Sequence, residues 1–308
     1  MVNAQPLIES VPNFSEGRDL RLLERLAVTM DKISGVSLLD YSADYDHNRS
    51  VYTLAGKPES VKEALFNGLV FATEHIDLNR HQGAHPRIGA VDVTPFIPIS
   101  GVDLAACGMI ARSFGEDIAR ELQIPVYLYG QAAIIKGRDN LSELRRGNYE
   151  GLAARLQTEE WWPDFGPRHP HPTFGAAVIG SRFYLIAINF NLNRYDLEAA
   201  RAIARAIRAS SGGVEAVKSI AVDLHSHGVA QVSCNLLDYR ITSPSEVFAR
   251  VSELAAGYNL AVAETEIIGL PPQASLNGCD WQLMKMTNFS PRQILETQLA
   301  EHGLLKKE

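Results

Sequence analysis

The stretch richest in groups able to do chemistry is RHQGAHPRIGAVDV, residues 80–93. His85 stands out within it. An imidazole with an ordinary pKa of about 6.5 can take up and give back a proton near neutral pH, which is the task of a general acid–base catalyst. Pro86 disfavours the α region for His85, and Gly83 and Gly89 flank it, so the spacing predicts an extended or turn conformation at the mouth of a strand. Arg80 and Arg87 bracket the histidine and could hold carboxylates bidentately. A lone loop histidine can equally be an ordinary hydrogen-bonding group, and the residue types alone leave both readings open.

Metal chemistry is the competing use of histidines. His81 and His85 have the i, i+4 spacing of zinc ligands on a helix, but Gly83 and Pro86 break any such helix. His169/His171 and His225/His227 form two His-x-His pairs. Prolines 170 and 172 interleave the first, and the second falls at a hairpin tip; neither comes with a cysteine set or a Glu-x-x-His. No metal is expected. The chain has no GxGxxG, no GxxxxGK[ST] and no Gly-x-Ser-x-Gly elbow.

The elements that must position these residues recur in one order. Strands are expected at 7–14, 36–43, 50–56, 90–99 and 125–130, with helices at 18–33, from Pro58 onward, and near 102–122. Pro95 and Pro98 suggest that strand 90–99 is an edge or ends early. Residues 131–175 read as a long irregular stretch with one helix near 139–157. The second half repeats the order: a strand at 181–192, a helix at 195–210, a hairpin of 217–225 and 229–241, a helix started by the capping box Ser243–Pro244–Glu246, and a strand at 260–270. Each half runs β-α-β-β-α-β, the split ferredoxin-like order, and the first then adds α-β. The fold class is therefore α+β: two α/β sandwiches, each a sheet with helices on one face, in subdomains spanning 1–178 and 179–308.

A chain of 308 residues buries about 75% of its unfolded surface and needs no staples. The net charge of −7 argues against a nucleic-acid partner. Three widely spaced cysteines, Cys107, Cys234 and Cys279, fit a reducing compartment. No signal peptide and no apolar run of about 18 residues is visible, so the expectation is a cytoplasmic protein without a membrane partner.

VPNFSEGRD (11–19), DHNRSVYTLAG (46–56), HQGAHPRIGAVDVTPFIPI (81–99), PVYLYG (125–130), PDFGP (163–167) and AQVSCNLLDY (230–239) occur in order along nearly the whole chain. Together they resemble the formiminotransferase domain of glutamate formiminotransferase. The resemblance implies two ferredoxin-like subdomains with folate in a cleft or tunnel between them, and a homodimer. The substrates it implies are N-formimino-L-glutamate and tetrahydrofolate, the latter as co-substrate. A separate cyclodeaminase protein would then release ammonia from the product.

The family's catalytic histidine, the one before Pro-Arg, falls on His85. Its folate segment falls on Gly166, Pro167, Arg168, His169, Pro170, His171, Pro172, Thr173, Phe174 and Gly175, with an interior richer in histidine and proline than animal forms. An acid that animal forms carry near Ser42 has Asp44 or Asp46 as its stand-in, to orient His85 or steady a cationic amidine. Arg87 and Arg168 are candidates for substrate carboxylates, and Phe174 for packing on the pterin or benzoyl ring. Formyl instead of formimino transfer is the near alternative; a metal-dependent amidine hydrolase or a non-enzymatic ligand-binding module are the distant ones.

Overall fold

The computed structural model describes residues 5–138, 140–224 and 228–305. The chain divides into two compact units, Met1–Arg182 and Phe183–Glu308.

In the first unit the opening apolar stretch forms two short strands, β1 (Leu7–Ser10) and β2 (Asn13–Phe14). Pro12 lies at the break between them, since it has no N–H for a ladder. Helix α1 (Leu20–Asp31) begins at Asp19, whose side chain accepts from the amides of Arg21 and Leu22. Strands β3 (Val36–Asp44) and β4 (Arg49–Gly56) pair antiparallel, joined by the polar turn 45–48. Helix α2 (Pro58–His75) carries proline in its first turn, where the missing donor costs nothing. Then follow β5 (Val91–Ser100), α3 (Leu104–Leu122), β6 (Val126–Gly130), α4 (Leu141–Leu144), α5 (Asn148–Arg155) and β7 (Ala177–Ser181).

The sheet runs β3, β4, the β1/β2 pair, β5, β7, β6; the last two join parallel, the others antiparallel. Alternation along β6 separates two cores. Val126 and Leu128 join residues of α1, α2 and α3, while Tyr127 and Tyr129 join Leu144 and Leu152 of the short helices. This unit therefore has helices against both faces of its sheet, not one.

Strand β5 is central despite its prolines, with β1 and β2 on one side and β7 on the other. Pro98 stands opposite Ile8, where the register shifts, so its missing N–H falls at an irregularity of the ladder, and the Pro95 carbonyl accepts from Ser10 Oγ. The single helix near 139–157 is two pieces, because Gly147 at φ +81° leaves the helical region between them. The strand expected at 181–192 starts only at Ile186, as β8 (Ile186–Leu192); Ser181 is the last residue of β7, in the other sheet.

The second unit adds α6 (Leu197–Ile207), β9 (Val217–Leu224), β10 (Val229–Leu236), α7 (Pro244–Ala256), β11 (Val262–Ile268) and α8 (Leu295–Glu301) to β8. Its sheet order is β11-β8-β10-β9, antiparallel throughout. This is the arrangement that a split β-α-β-β-α-β chain produces. Both hydrogen bonds of the Ser243–Glu246 capping box are present at the start of α7. The hairpin strand expected to reach 241 stops at Leu236, where the chain turns. No described helix is long and apolar enough to cross a membrane.

Candidate active site

The loop carrying His85 is fastened to the β3–β4 turn. Asn48, buried and at φ +47°, does most of this. Its Oδ1 accepts from the Gly17 amide at 2.9 Å, its Nδ2 donates to the Gln82 carbonyl at 3.1 Å, and its own carbonyl meets His81 Nε2 at 2.8 Å. The Ala84 amide donates to the Asp46 carbonyl at 3.1 Å. Gly83 lies so close that a Cβ there would run into the His47 carbonyl. The far end of the loop is held by Ser15, whose Oγ donates to the Gly89 carbonyl at 2.7 Å, and by Asp92, whose Oδ1 accepts from the Ile88 amide at 2.8 Å. These bonds fix the loop before any ligand arrives, as a preorganised site requires.

His85 points into a cavity of about 10 Å³ lined by Ser15, His47, Asn48, Arg49, His81, Arg87 and Asp92. That volume admits about one water molecule. Arg49 Nη1 lies 2.7 Å from His85 Nε2. A guanidinium only donates, so Nε2 is the acceptor and the neutral ring carries its proton on Nδ1. That Nδ1 is buried without a hydrogen-bond partner among the described residues. The imidazole pKa is held well below 6.5, first by burial and then by the positive charges of Arg49, Arg145 and His47. His85 is therefore a neutral base at neutral pH, and its lone pair is covered by Arg49.

Of the two carboxylates expected to serve His85, that of Asp44 is engaged by a neighbouring histidine. Asp44 turns to His47, with Oδ2 2.9 Å from His47 Nδ1 and Oδ1 accepting the His47 amide at 2.7 Å. The His47 ring centroid lies 6.0 Å from that of His85, so Asp44 stands one imidazole away. Asp46 gives its backbone carbonyl to the loop. Arg87, expected to hold a substrate carboxylate, is buried and already occupied. Its Nη1 and Nη2 grip Glu150 at 3.1 and 2.7 Å, Nη2 also reaches the His81 carbonyl, and Nε donates to His81 Nδ1 at 2.9 Å. With Nε2 on Asn48 and Nδ1 on Arg87, both nitrogens of His81 are used as well.

The segment from Gly166 to Gly175 reaches the same loop through its end. The Ala90 amide donates to the Phe174 carbonyl at 2.8 Å, and the Ala176 amide to that of Ile88 at 2.9 Å. Phe174 itself is fully buried in the first unit's core, so its ring is not free to pack on a pterin. His171 closes a turn: its backbone pairs with Gly175 both ways at 2.9 and 3.0 Å, and its Nδ1 accepts the Phe174 amide at 3.1 Å. The Thr173 carbonyl accepts from the Leu78 amide and that of Pro172 from Asn79 Nδ2. His169 and Arg168 are exposed, the latter with its guanidinium carbon 3.4 Å from the Trp162 ring centroid. Pro167 and Pro170 are half-buried.

Sequence reasoning missed Arg49, His47, Asp92, Arg145 and Glu150. Asp92 is buried and holds Arg145 at 2.5 Å. The sequence signals for Arg49 were its place beside the polar turn and within the DHNRSVYTLAG stretch. His225 and His227 lie outside the described residues. Among the described residues no three His, Cys, Asp or Glu side chains converge as a metal site.

Residues 7–182 match the family model described as the formiminotransferase domain, N-terminal subdomain, and residues 187–304 match that of the formiminotransferase domain. A Streptococcus pyogenes serotype M1 protein named glutamate formimidoyltransferase is 40% identical over 294 residues, covering 95% of this chain and 98% of the relative. A Thermoplasma acidophilum protein of the same name is 40% identical over 297 residues, covering 96% and 98%. A Mus musculus formimidoyltransferase-cyclodeaminase is 41% identical over 276 residues, covering 88% of this chain and 51% of that one.

Proposed function

The chain belongs to the formiminotransferase domain family, and on that premise we propose that it moves the formimino group of N-formimino-L-glutamate to N5 of tetrahydrofolate. His85 is the acid–base catalyst of this reading, and tetrahydrofolate the co-substrate. The proposal extends to a homodimer working in the cytoplasm, in one-carbon metabolism and histidine breakdown.

The chemistry asks for one mobile proton. N5 attacks the carbon of the protonated amidine, forming a C–N bond while the C=N electrons move onto the terminal nitrogen. His85 takes the N5 proton and hands it to the glutamate nitrogen. The C–N bond to glutamate then breaks, and the lone pair of the terminal nitrogen restores the amidine on N5. Glutamate leaves as a neutral amine, so protons and electrons balance. Help of this kind contributes roughly 10²–10⁴-fold, or about 3–5 kcal/mol of barrier.

The observation carrying this reading is a neutral imidazole with an acceptor nitrogen facing a prebuilt polar cavity. A base must be unprotonated before it can act, and burial among cations keeps His85 so. The test is His85→Ala assayed with both substrates. Turnover should fall by about 10²-fold or more while the dissociation constant for tetrahydrofolate holds. Near-normal turnover would remove His85 from the reaction.

A further inference from the structure

Three arginines bear on the His85 cavity, and among the described residues only two of them are paired with a carboxylate. Arg87 holds Glu150, and Arg145 holds Asp92. Arg49 has no ion pair among the described residues; Asp92 and Asp44 act on it only through space. Asp44 stands opposite Arg49 in the β3–β4 register, yet spends its carboxylate on His47. Among the described residues the one hydrogen bond of the Arg49 side chain runs from Nη1 to His85 Nε2. A guanidinium has five N–H groups in a planar fork, so most of this one is left for an incoming acid. Burial and the neighbouring Arg145 make Arg49 costly to keep charged, and push its pKa down to about 10. It is still a cation at neutral pH, in want of an anion.

We propose that Arg49 receives a carboxylate of the amino-acid donor, and that this carboxylate draws the guanidinium off Nε2 and so uncovers the base. This rests on the function proposed above, because the donor named there is a dicarboxylate. In the resting protein Arg49 occupies the lone pair that must accept the proton. The two roles exclude each other in one geometry: a guanidinium donating to Nε2 blocks protonation there, and one engaged on a carboxylate does not. The donor thereby switches on the base it needs, and tetrahydrofolate alone meets a covered imidazole. Neutralising Arg49 also lessens one of the charges that, with Arg145 and His47, holds the ring deprotonated; His81, Arg87 and Asp92 complete the cavity wall and keep their own partners.

The experiment combines histidine ¹⁵N NMR with steady-state kinetics on the full chain. L-glutamate is the carboxylate probe. In the parent protein it should shift the His85 Nε2 resonance toward that of an unbonded imidazole. In Arg49→Gln that resonance starts at the shifted position and stays there. The KM for formiminoglutamate should rise about 10- to 100-fold in Arg49→Gln, with the KM for tetrahydrofolate within about twofold. The acid limb of its kcat/KM profile should move up toward pH 6.5. Arg49→Lys keeps the charge without the fork and should fall between, about tenfold up in KM; if Arg49→Gln does not fold, this variant decides by the same readouts. An unchanged KM for formiminoglutamate, or a glutamate-driven His85 shift that survives in Arg49→Gln, overturns the proposal. If the parent protein fails to turn over formiminoglutamate, the functional reading falls while the NMR titration still judges Arg49.

Discussion

Asp92 Oδ2 lies 2.5 Å from Arg145 Nη2, and the aspartate side chain is 2% exposed. Its other oxygen accepts the amide of Ile88, so one buried carboxylate fixes both an arginine near His85 and the end of the His85 loop. Breaking such a pair from one side leaves a buried charge without compensation, which costs about 3–5 kcal/mol. Asp92→Ala should lose stability of that order in urea unfolding with an unchanged slope. A loss under about 1 kcal/mol would show that Arg145 finds water instead.

The charge state of His85 fixes a pH dependence. Its folded pKa lies below that of the unfolded chain, through burial first and then Arg49, Arg145 and His47. The unfolded chain thus binds the extra proton first as pH falls through about 6.5. Stability contributed by this group is complete above that pH and declines below it, and His81, lowered by burial, adds in the same sense. Unfolding free energies at pH 7.5 and 5.5 should differ less in His85→Gln than in the parent. Equal differences would mean that the imidazole titrates normally.

Gly83 tests whether loop placement matters separately from the His85 imidazole. A Cβ there meets the His47 carbonyl, so Gly83→Ala must push the loop off the turn. Overpacking of this kind costs about 1–3 kcal/mol. Turnover should drop by about tenfold or more while the protein stays folded below its lowered Tm. Full activity would show that His85 can work from a shifted loop.

Arg168 and Arg87 should part company. Arg168 is exposed and stacked on Trp162, and its substitution by alanine should weaken tetrahydrofolate binding about tenfold with little effect on Tm. Arg87→Ala should instead lower Tm, because it strips Glu150 and His81 of their partner. An unchanged folate dissociation constant for Arg168→Ala would reject its role.

What the sequence disclosed follows the range of the forces involved. The start of α7 is written in four adjacent residues, and Pro58 and Asp19 mark α2 and α1 just as locally. His85 was legible because Pro86 and the flanking glycines act on it directly. Its surroundings were not. Asp92 meets Arg145 across 53 residues and Arg87 meets Glu150 across 63, and nothing in either neighbourhood announces the other. Asp44 looked available to His85 because its bond to His47, three residues away, is a choice of rotamer that spacing does not reveal. The division between β7 and β8 was hidden because both strands are apolar and the residues between them carry no proline or glycine.

Gly166 and Gly175, at φ +89° and +82°, each sit with no room for a side chain, against the carbonyls of Ile124 and Ile88 respectively. Between them Arg168, His169 and Pro172 face outward. The stretch is thus a cassette clamped at both rims. Side chains at 168, 169 and 172 therefore project from a segment whose two rims are seated independently of them.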